Sequence, residues 1–165
     1  GLVSSVPHAA VGTSMKLTPL QVANLFATIS NGGSQMQPRL VNRVRAHDGS
    51  VIHNFGPRVV NQSVSKETAA ELLGLLSENV KNGNAAGLEL SDVSMGGLLA
   101  SSFSESNHLW MVALAPVTRP EVIVAVLLEG DDFDDRQAAE ASITGISRRI
   151  TEAVLRLPSP TLGGS

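Results

Sequence analysis

Two apolar runs dominate the hydropathy of the chain. His108-Leu109-Trp110-Met111-Val112-Ala113-Leu114-Ala115 and Val122-Ile123-Val124-Ala125-Val126-Leu127-Leu128 are separated by Pro116-Val117-Thr118-Arg119-Pro120. Runs of this length bounded by Pro and Gly read as strands. A link this short joins antiparallel neighbours, because a parallel crossover needs about a dozen residues or more. Neither run alternates apolar with polar, so both faces of the sheet are expected to be covered, with helices on either side.

Helical periods supply the covers. Thr18-Pro19-Leu20-Gln21 combines an N-cap Thr, a Pro at the first helical position and a Gln three residues past the cap, a capping-box start. The helix it opens carries Leu20, Ala23, Phe26, Ala27 and Ser30 on one stripe, with Val22, Leu25 and Ile29 beside it. It stops at Asn31-Gly32-Gly33. Lys66–Lys81 places Ala69, Leu72, Leu73, Leu76 and Val80 at helical spacing, and Asn82-Gly83-Asn84 closes it. A third helix, Arg136–Leu155, follows the acidic flank Asp131–Asp135, with Ala138, Ala141, Ile146, Ile150 and Val154 as its apolar positions.

Between these lie lesser elements. Pro38–Arg45 and Val51–Phe55 alternate around Asp48-Gly49 and predict a small peripheral hairpin. Val93–Phe103 predicts a third core strand, weakened by its glycines and pairing with Asn107–Ala115 across Ser104-Glu105-Ser106. The opening stretch Gly1–Leu17 and the stretch Ala85–Asp92 read as loop. The expected architecture is α+β: three core antiparallel strands and a small hairpin, covered by helices on both faces. One domain spans residues 1–157, and 158–165 is expected to be a disordered tail.

Composition narrows the chemistry. A net charge of −3 gives no reason to expect nucleic acid, and an aromatic content of 3% leaves few stacking platforms for bases or sugars. There is no cysteine, and His8, His47, His53 and His108 form no ligand-spaced pair, so neither a metal nor a cofactor is expected. No apolar run approaches the roughly 18 residues of a membrane span. A start at Gly1 without an initiator Met reads as an excised or truncated piece.

Several of these strings, in order, resemble one family. Val11-Gly12, Thr18-Pro19-Leu20-Gln21, Asn31-Gly32-Gly33, Pro38-Arg39-Leu40-Val41 and His108–Pro116 are similar to the C-terminal half of a penicillin-binding protein transpeptidase domain, over about Val11 to Leu128. The resemblance implies a serine acyl-transferase built from a Ser-x-x-Lys nucleophile, a Ser-x-Asn loop and a Lys-Thr-Gly strand. It implies an extracytoplasmic bacterial location. For the intact family domain, it implies a peptidoglycan stem peptide or β-lactam as ligand.

The third motif would fall just before the Trp110 strand, where the chain reads Met95-Gly96-Gly97-Leu98-Leu99-Ala100-Ser101. Gly96 or Gly97 stands in the lysine place, depending on a one-residue shift, and neither carries charge. The resemblance sets the first two motifs upstream of the Thr18 helix, so no nucleophile is expected in this chain. Ser63-Val64-Ser65-Lys66, Ser77-Glu78-Asn79 and Lys81-Asn82-Gly83 imitate all three motifs, but crowd around one helix instead of converging from helix, loop and strand. Ser65 reads as an N-cap and Asn82-Gly83 as a helix exit.

No catalytic residue is therefore expected, and Gly96, Gly97, Ser101 and Ser102 remain as candidates for a substrate groove. Trp110 reads as core, and His108 as a packing or hydrogen-bonding residue. Three readings follow: part of a D,D-transpeptidase-type domain inactive by itself, a pseudo-transpeptidase binding or scaffold module, or an unrelated α+β fragment. Because the family's nucleophile helix belongs to the second layer, a gap on that face is expected, with a partner chain able to complete the fold.

Overall fold

The computed structural model of the chain describes residues 16–103, 107–130 and 135–157. The readings for Gly1–Met15, the 104–106 turn, residues 131–134 and the tail from 158 lie outside them. In chain order the elements are α1 (Pro19–Ser30), β1 (Ser34–Met36), β2 (Arg43–Arg45), β3 (Val51–Asn54), β4 (Val59–Gln62) and α2 (Lys66–Asn82). A short 3-10 turn (Ala86–Leu88), β5 (Gly96–Phe103), β6 (Asn107–Ala115), β7 (Val122–Gly130) and α3 (Arg136–Leu155) follow.

The two apolar runs form the expected hairpin, β6 and β7, paired without a bulge from Asn107↔Gly130 to Ala115↔Val122. β5 lies on the other side of β6, in register from Gly96↔Leu114 to Phe103↔Asn107, so the sheet order is β5-β6-β7, all antiparallel. β5 starts three residues later than the sequence predicts. Ser94 is drawn instead toward the β6–β7 connection, where its carbonyl accepts from Val117 N at 2.8 Å.

Alternate residues of β6 enter two cores, one on each face. Leu109, Met111, Ala113 and Ala115 pack with Leu88, Met95, Leu99 and Ile143, beneath α3. Val112 and Leu114 pack with Val22, Phe26, Leu76 and Val117, beneath α1 and α2. Trp110 packs against the second cluster and is partly buried, as an amphipathic ring commonly is. Both faces are covered by helices, and the architecture is α+β.

Local chemistry accounts for the helix ends. Thr18 makes both halves of the capping box with Gln21. At the exit Gly33 has φ +82°, and a Cβ there would lie 2.1 Å from Val64 O, so only glycine fits. Ser65 caps α2, with its hydroxyl accepting from Thr68 N at 3.1 Å. Asp135 caps α3 by accepting from Ala138 N.

The buried sides of two helices differ from the sequence expectation. On α1 the buried residues are Val22, Phe26 and Thr28, while Leu20 and Leu25 face solvent. On α3 the expected apolar positions Ala138, Ala141, Ile146, Ile150 and Val154 are exposed, and the helix turns Ile143, Thr144, Ser147 and Thr151 inward. Their hydroxyls are not orphaned. Thr144 donates to Glu140 O, Ser147 to Ile143 O and Thr151 to Ser147 O, so small polar side chains line the contact without an unpaired group.

Candidate functional site

β5 carries the four groove candidates and forms one edge of the sheet. Gly96 and Gly97 are buried, and the space above each is already filled. A Cβ on Gly96 would sit 2.8 Å from Leu114 Cδ1 and 3.0 Å from Val117 Cγ2. A Cβ on Gly97 would sit 2.3 Å from Leu88 Cδ1, 3.2 Å from Val112 O and 3.3 Å from Ala85 Cβ. Leu88 and Ala85 are fully buried, so the second position is the more tightly closed. Leu98 and Leu99 follow, the first partly exposed and the second buried.

The outward edge of β5 is occupied by two side-chain amides. Asn79, near the end of α2, donates through Nδ2 to Gly97 O at 2.9 Å, and Asn84 donates to Leu99 O at 2.9 Å. The two asparagines also bind each other: Asn79 Nδ2 donates to Asn84 Oδ1, and Asn84 N donates to Asn79 Oδ1. Together they satisfy carbonyls that an edge strand otherwise leaves to water or to an added strand. The sequence singles out Asn79 only as part of a chance motif and Asn84 only as part of the helix exit. Two amides flanking a helix-ending Gly were the available signal.

Further along β5, Ser101 is exposed, and its hydroxyl lies 3.4 Å from Arg136 Nη2, on the helix that covers that face. Ser102 stands opposite His108, and His108 opposite Glu129, in one row across the sheet. His108 Nε2 lies 3.2 Å from Glu129 Oε1, so this histidine is a hydrogen-bonding residue at the strand entry. The candidates thus share a strand, but Gly96 and Gly97 close into packing while Ser101 faces solvent at the far end.

The imitation motifs do not converge. Ser63 Oγ donates to Asn61 Oδ1 in the loop before α2. Lys66 and Lys81 sit at opposite ends of the 17-residue α2, about 22 Å apart at ~1.5 Å per residue. Lys81 lines a shallow cleft of about 290 Å³ beside Met95, but Glu89 and Asp92 share that cleft and outweigh its charge. Among the described residues no group of three or more His, Asp or Glu is arranged to hold a metal ion. No helix among them is long and apolar enough to cross a membrane.

Comparison with known proteins gives this geometry its context. The penicillin binding protein transpeptidase domain matches residues 3–152. The peptidoglycan D,D-transpeptidase PbpA of Mycolicibacterium smegmatis is 36% identical over 166 residues, covering 92% of this chain and 33% of that protein. The PbpA of Mycobacterium tuberculosis is 33% identical over 145 residues, covering 85% and 30%. Penicillin-binding protein A from M. tuberculosis, solved as an imipenem acyl-enzyme complex, superposes with a TM-score of 0.73 at 32% identity, over 87% of this chain and 32% of that one. The D,D-transpeptidase domain of a peptidoglycan glycosyltransferase from Eggerthella lenta gives 0.70 at 27% identity, over 85% and 33%. The chain spans about a third of the length of these relatives. The match over residues 3–152 takes in the sheet and helices on both of its faces, and the chain belongs to the penicillin-binding protein transpeptidase family.

Proposed function

We propose that this chain is the C-terminal part of a peptidoglycan D,D-transpeptidase-type domain that does not acylate by itself. In the family the lysine of the third motif offers a cation to a substrate carboxylate, and the serine of the first attacks the acyl carbon. One observation carries the reading: both residues that can stand in the lysine place are glycines, buried against Leu88, Leu114 and Val117. A cation in either position would enter an apolar core, where burial disfavours the charged form. The amides of Asn79 and Asn84 on Gly97 O and Leu99 O support it further, since they occupy bonds an extended peptide would need.

The second reading, a non-catalytic binding or scaffold module of cell-wall synthesis or division, rests on the same closed strand, held in a sheet that helices cover on both faces. Both readings take the extracytoplasmic location of the family. A fluorescent β-lactam followed by denaturing electrophoresis tests the proposal. No stoichiometric band is expected. A band that vanishes on Ser63→Ala would overturn it and give Ser63 and Lys66 a catalytic role.

A further inference from the structure

The ribbon from Ser34 to Gln62 is the part of the molecule least supported by its own packing. β1 pairs with β4 through Ser34↔Gln62 and Met36↔Val59, and β2 with β3 through Arg43↔Asn54 and Val44↔His53. Gln37 N donates to Arg58 O and Phe55 N to Asn42 O, so pairing continues through the gap between them. The two pairs are successive halves of one long antiparallel hairpin. Its base is anchored: Gln62 Nε2 donates to Gly32 O, Ser34 Oγ to Gln62 Oε1 and Ser63 N to Gly33 O. Beyond the base every residue of β3 and β4 is exposed, and among the described residues neither β2 nor β3 pairs with a third strand.

A two-stranded ribbon is at best marginally stable in water, yet this one presents Leu40, Val51, Ile52, Val59 and Val60 to solvent. Scattered single apolar residues would need no explanation, but a run of them along one projecting element does. Charge is equally uneven. Residues 37–62 hold four cations (Arg39, Arg43, Arg45 and Arg58) and one acid (Asp48), a net of 4 − 1 = +3, in a chain whose total is −3. Arg39 donates to Phe55 O and Arg45 to Gly49 O, which are carbonyls that neutralise no charge. The register shift between Val44 and Arg45 is taken up on β3, where Ile52 is the extra residue, while along β2 itself the side chains alternate, so Arg43 and Arg45 take one side. Val44 takes the other, opposite His53, whose ring stands edge-on to Phe55 with centroids 4.3 Å apart.

We propose that this ribbon is a docking edge for an extended protein segment in which acidic and apolar residues alternate. The segment adds as a further strand, its carboxylates toward Arg43 and Arg45 and its apolar side chains toward Val44 and His53, while main-chain bonds fix the register. The planar guanidinium groups suit carboxylates arranged in this way. A bilayer is the poorer occupant. The tip of the hairpin carries Asp48, whose carboxylate accepts from Ser50 Oγ at 2.6 Å and Ser50 N at 2.9 Å, bonds that hold its carboxyl below the usual carboxylate range and keep the tip charged. Lipid headgroups also leave a strand edge without its backbone partners. A second copy of the ribbon would bring the same +3 against it.

Fluorescence anisotropy with labelled, end-blocked Val-Glu-Val-Glu-Val-Glu-Val tests the proposal on the 165-residue chain. Saturable binding is expected, weakened about tenfold by the double substitution Arg43→Glu/Arg45→Glu, equivalent to about 1.4 kcal/mol. It should weaken comparably when salt rises from about 0.05 to about 0.5 M, and the Lys-for-Glu peptide should not bind. Arg43→Lys/Arg45→Lys retains most of the affinity, and unchanged helical circular dichroism shows that the body is intact. Absence of saturable binding, or equal binding by the charge-reversed chain, would overturn the proposal. So would stronger capture by phosphatidylglycerol vesicles than by the peptide, or self-association abolished by the same substitutions. These residues lie off β5, so the result bears on docking and not on acylation.

Discussion

Replacing Gly97 with lysine rebuilds the family's charge at one of its two possible places, and the packing sets the expected consequence. The first carbon of any side chain there lies 2.3 Å from Leu88 Cδ1, against an ordinary contact of about 3.4–4 Å, so Leu88 must withdraw by about 1 Å or more. Leu88 is fully buried among Val80, Ala85, Met95 and Ile143, and Val112 O blocks a second direction at 3.2 Å. Overpacking of this kind costs about 1–3 kcal/mol, and an ammonium driven toward an apolar core raises the total to about 3–5 kcal/mol. For a chain of this size that lowers the melting temperature by about 6–20 °C. Gly96→Lys meets Leu114 Cδ1 and Cγ and Val117 Cγ2 less closely, at 2.8–3.2 Å, and with the same cost of driving an ammonium toward the core it should lose somewhat less, about 2–4 kcal/mol. Thermal unfolding by circular dichroism gives both values. The pair Gly97→Ala and Leu88→Ala should also be non-additive, because the second removes the atom that the first strikes. A Gly97→Lys variant that melts within about 2 °C of the parent would refute the packed-glycine reasoning.

Gly74 lies in the interior of α2 with nothing within 4 Å of a Cβ, so Gly74→Ala should raise stability by about 1 kcal/mol in urea unfolding. Asn84→Ala removes the donor on Leu99 O and should cost about 1–2 kcal/mol; chemical denaturation measures the loss, and a stability equal to the parent's would show that water replaces the amide fully. Acid should weaken the fold through Glu67 and Asp48. Glu67 is held below its usual range by its own backbone N–H at the start of α2 and by Ser65, and Asp48 by Ser50. Lowered folded values mean stability that is present above the ordinary carboxylate range, about pH 4–5, and lost as pH falls through the folded values. Glu67→Gln should therefore flatten the decline of the urea midpoint between about pH 6 and pH 3, and an unchanged slope would remove Glu67 from the account.

The features legible in the sequence are those with a strong local cause. The β6–β7 hairpin follows from two apolar runs joined by five residues, the start of α1 from a complete capping box, and that of α2 from Ser65 and its stripe. The rotation of α3 was hidden, because a hydropathy pattern scores Ser147 and Thr151 as polar. Bonding to the carbonyl four residues back lets them pack inward, while Ile146 and Ile150 stay outside. The β1–β4 pair was hidden for another reason: β1 is only three residues long, and no alternation marks it. At the site, the absence of a charged residue from Met95–Leu99 is readable from letters alone. That Leu88 and Ala85, on the 3-10 turn and the residue before it, fill the space over Gly97 depends on tertiary contact, and no spacing announces it.

The most direct test of the closed strand is an NMR titration of the ¹⁵N-labelled chain with a peptide ending in D-Ala-D-Ala, followed at the amides of Gly96 to Ser101. With glycine at both positions proposed for the lysine and with Gly97 O and Leu99 O bound by Asn79 and Asn84, those amides should not move up to a peptide concentration of about 1 mM, the weak end of specific affinity. Saturable shifts confined to β5 at or below that concentration would contradict the account and make this strand a working peptide groove.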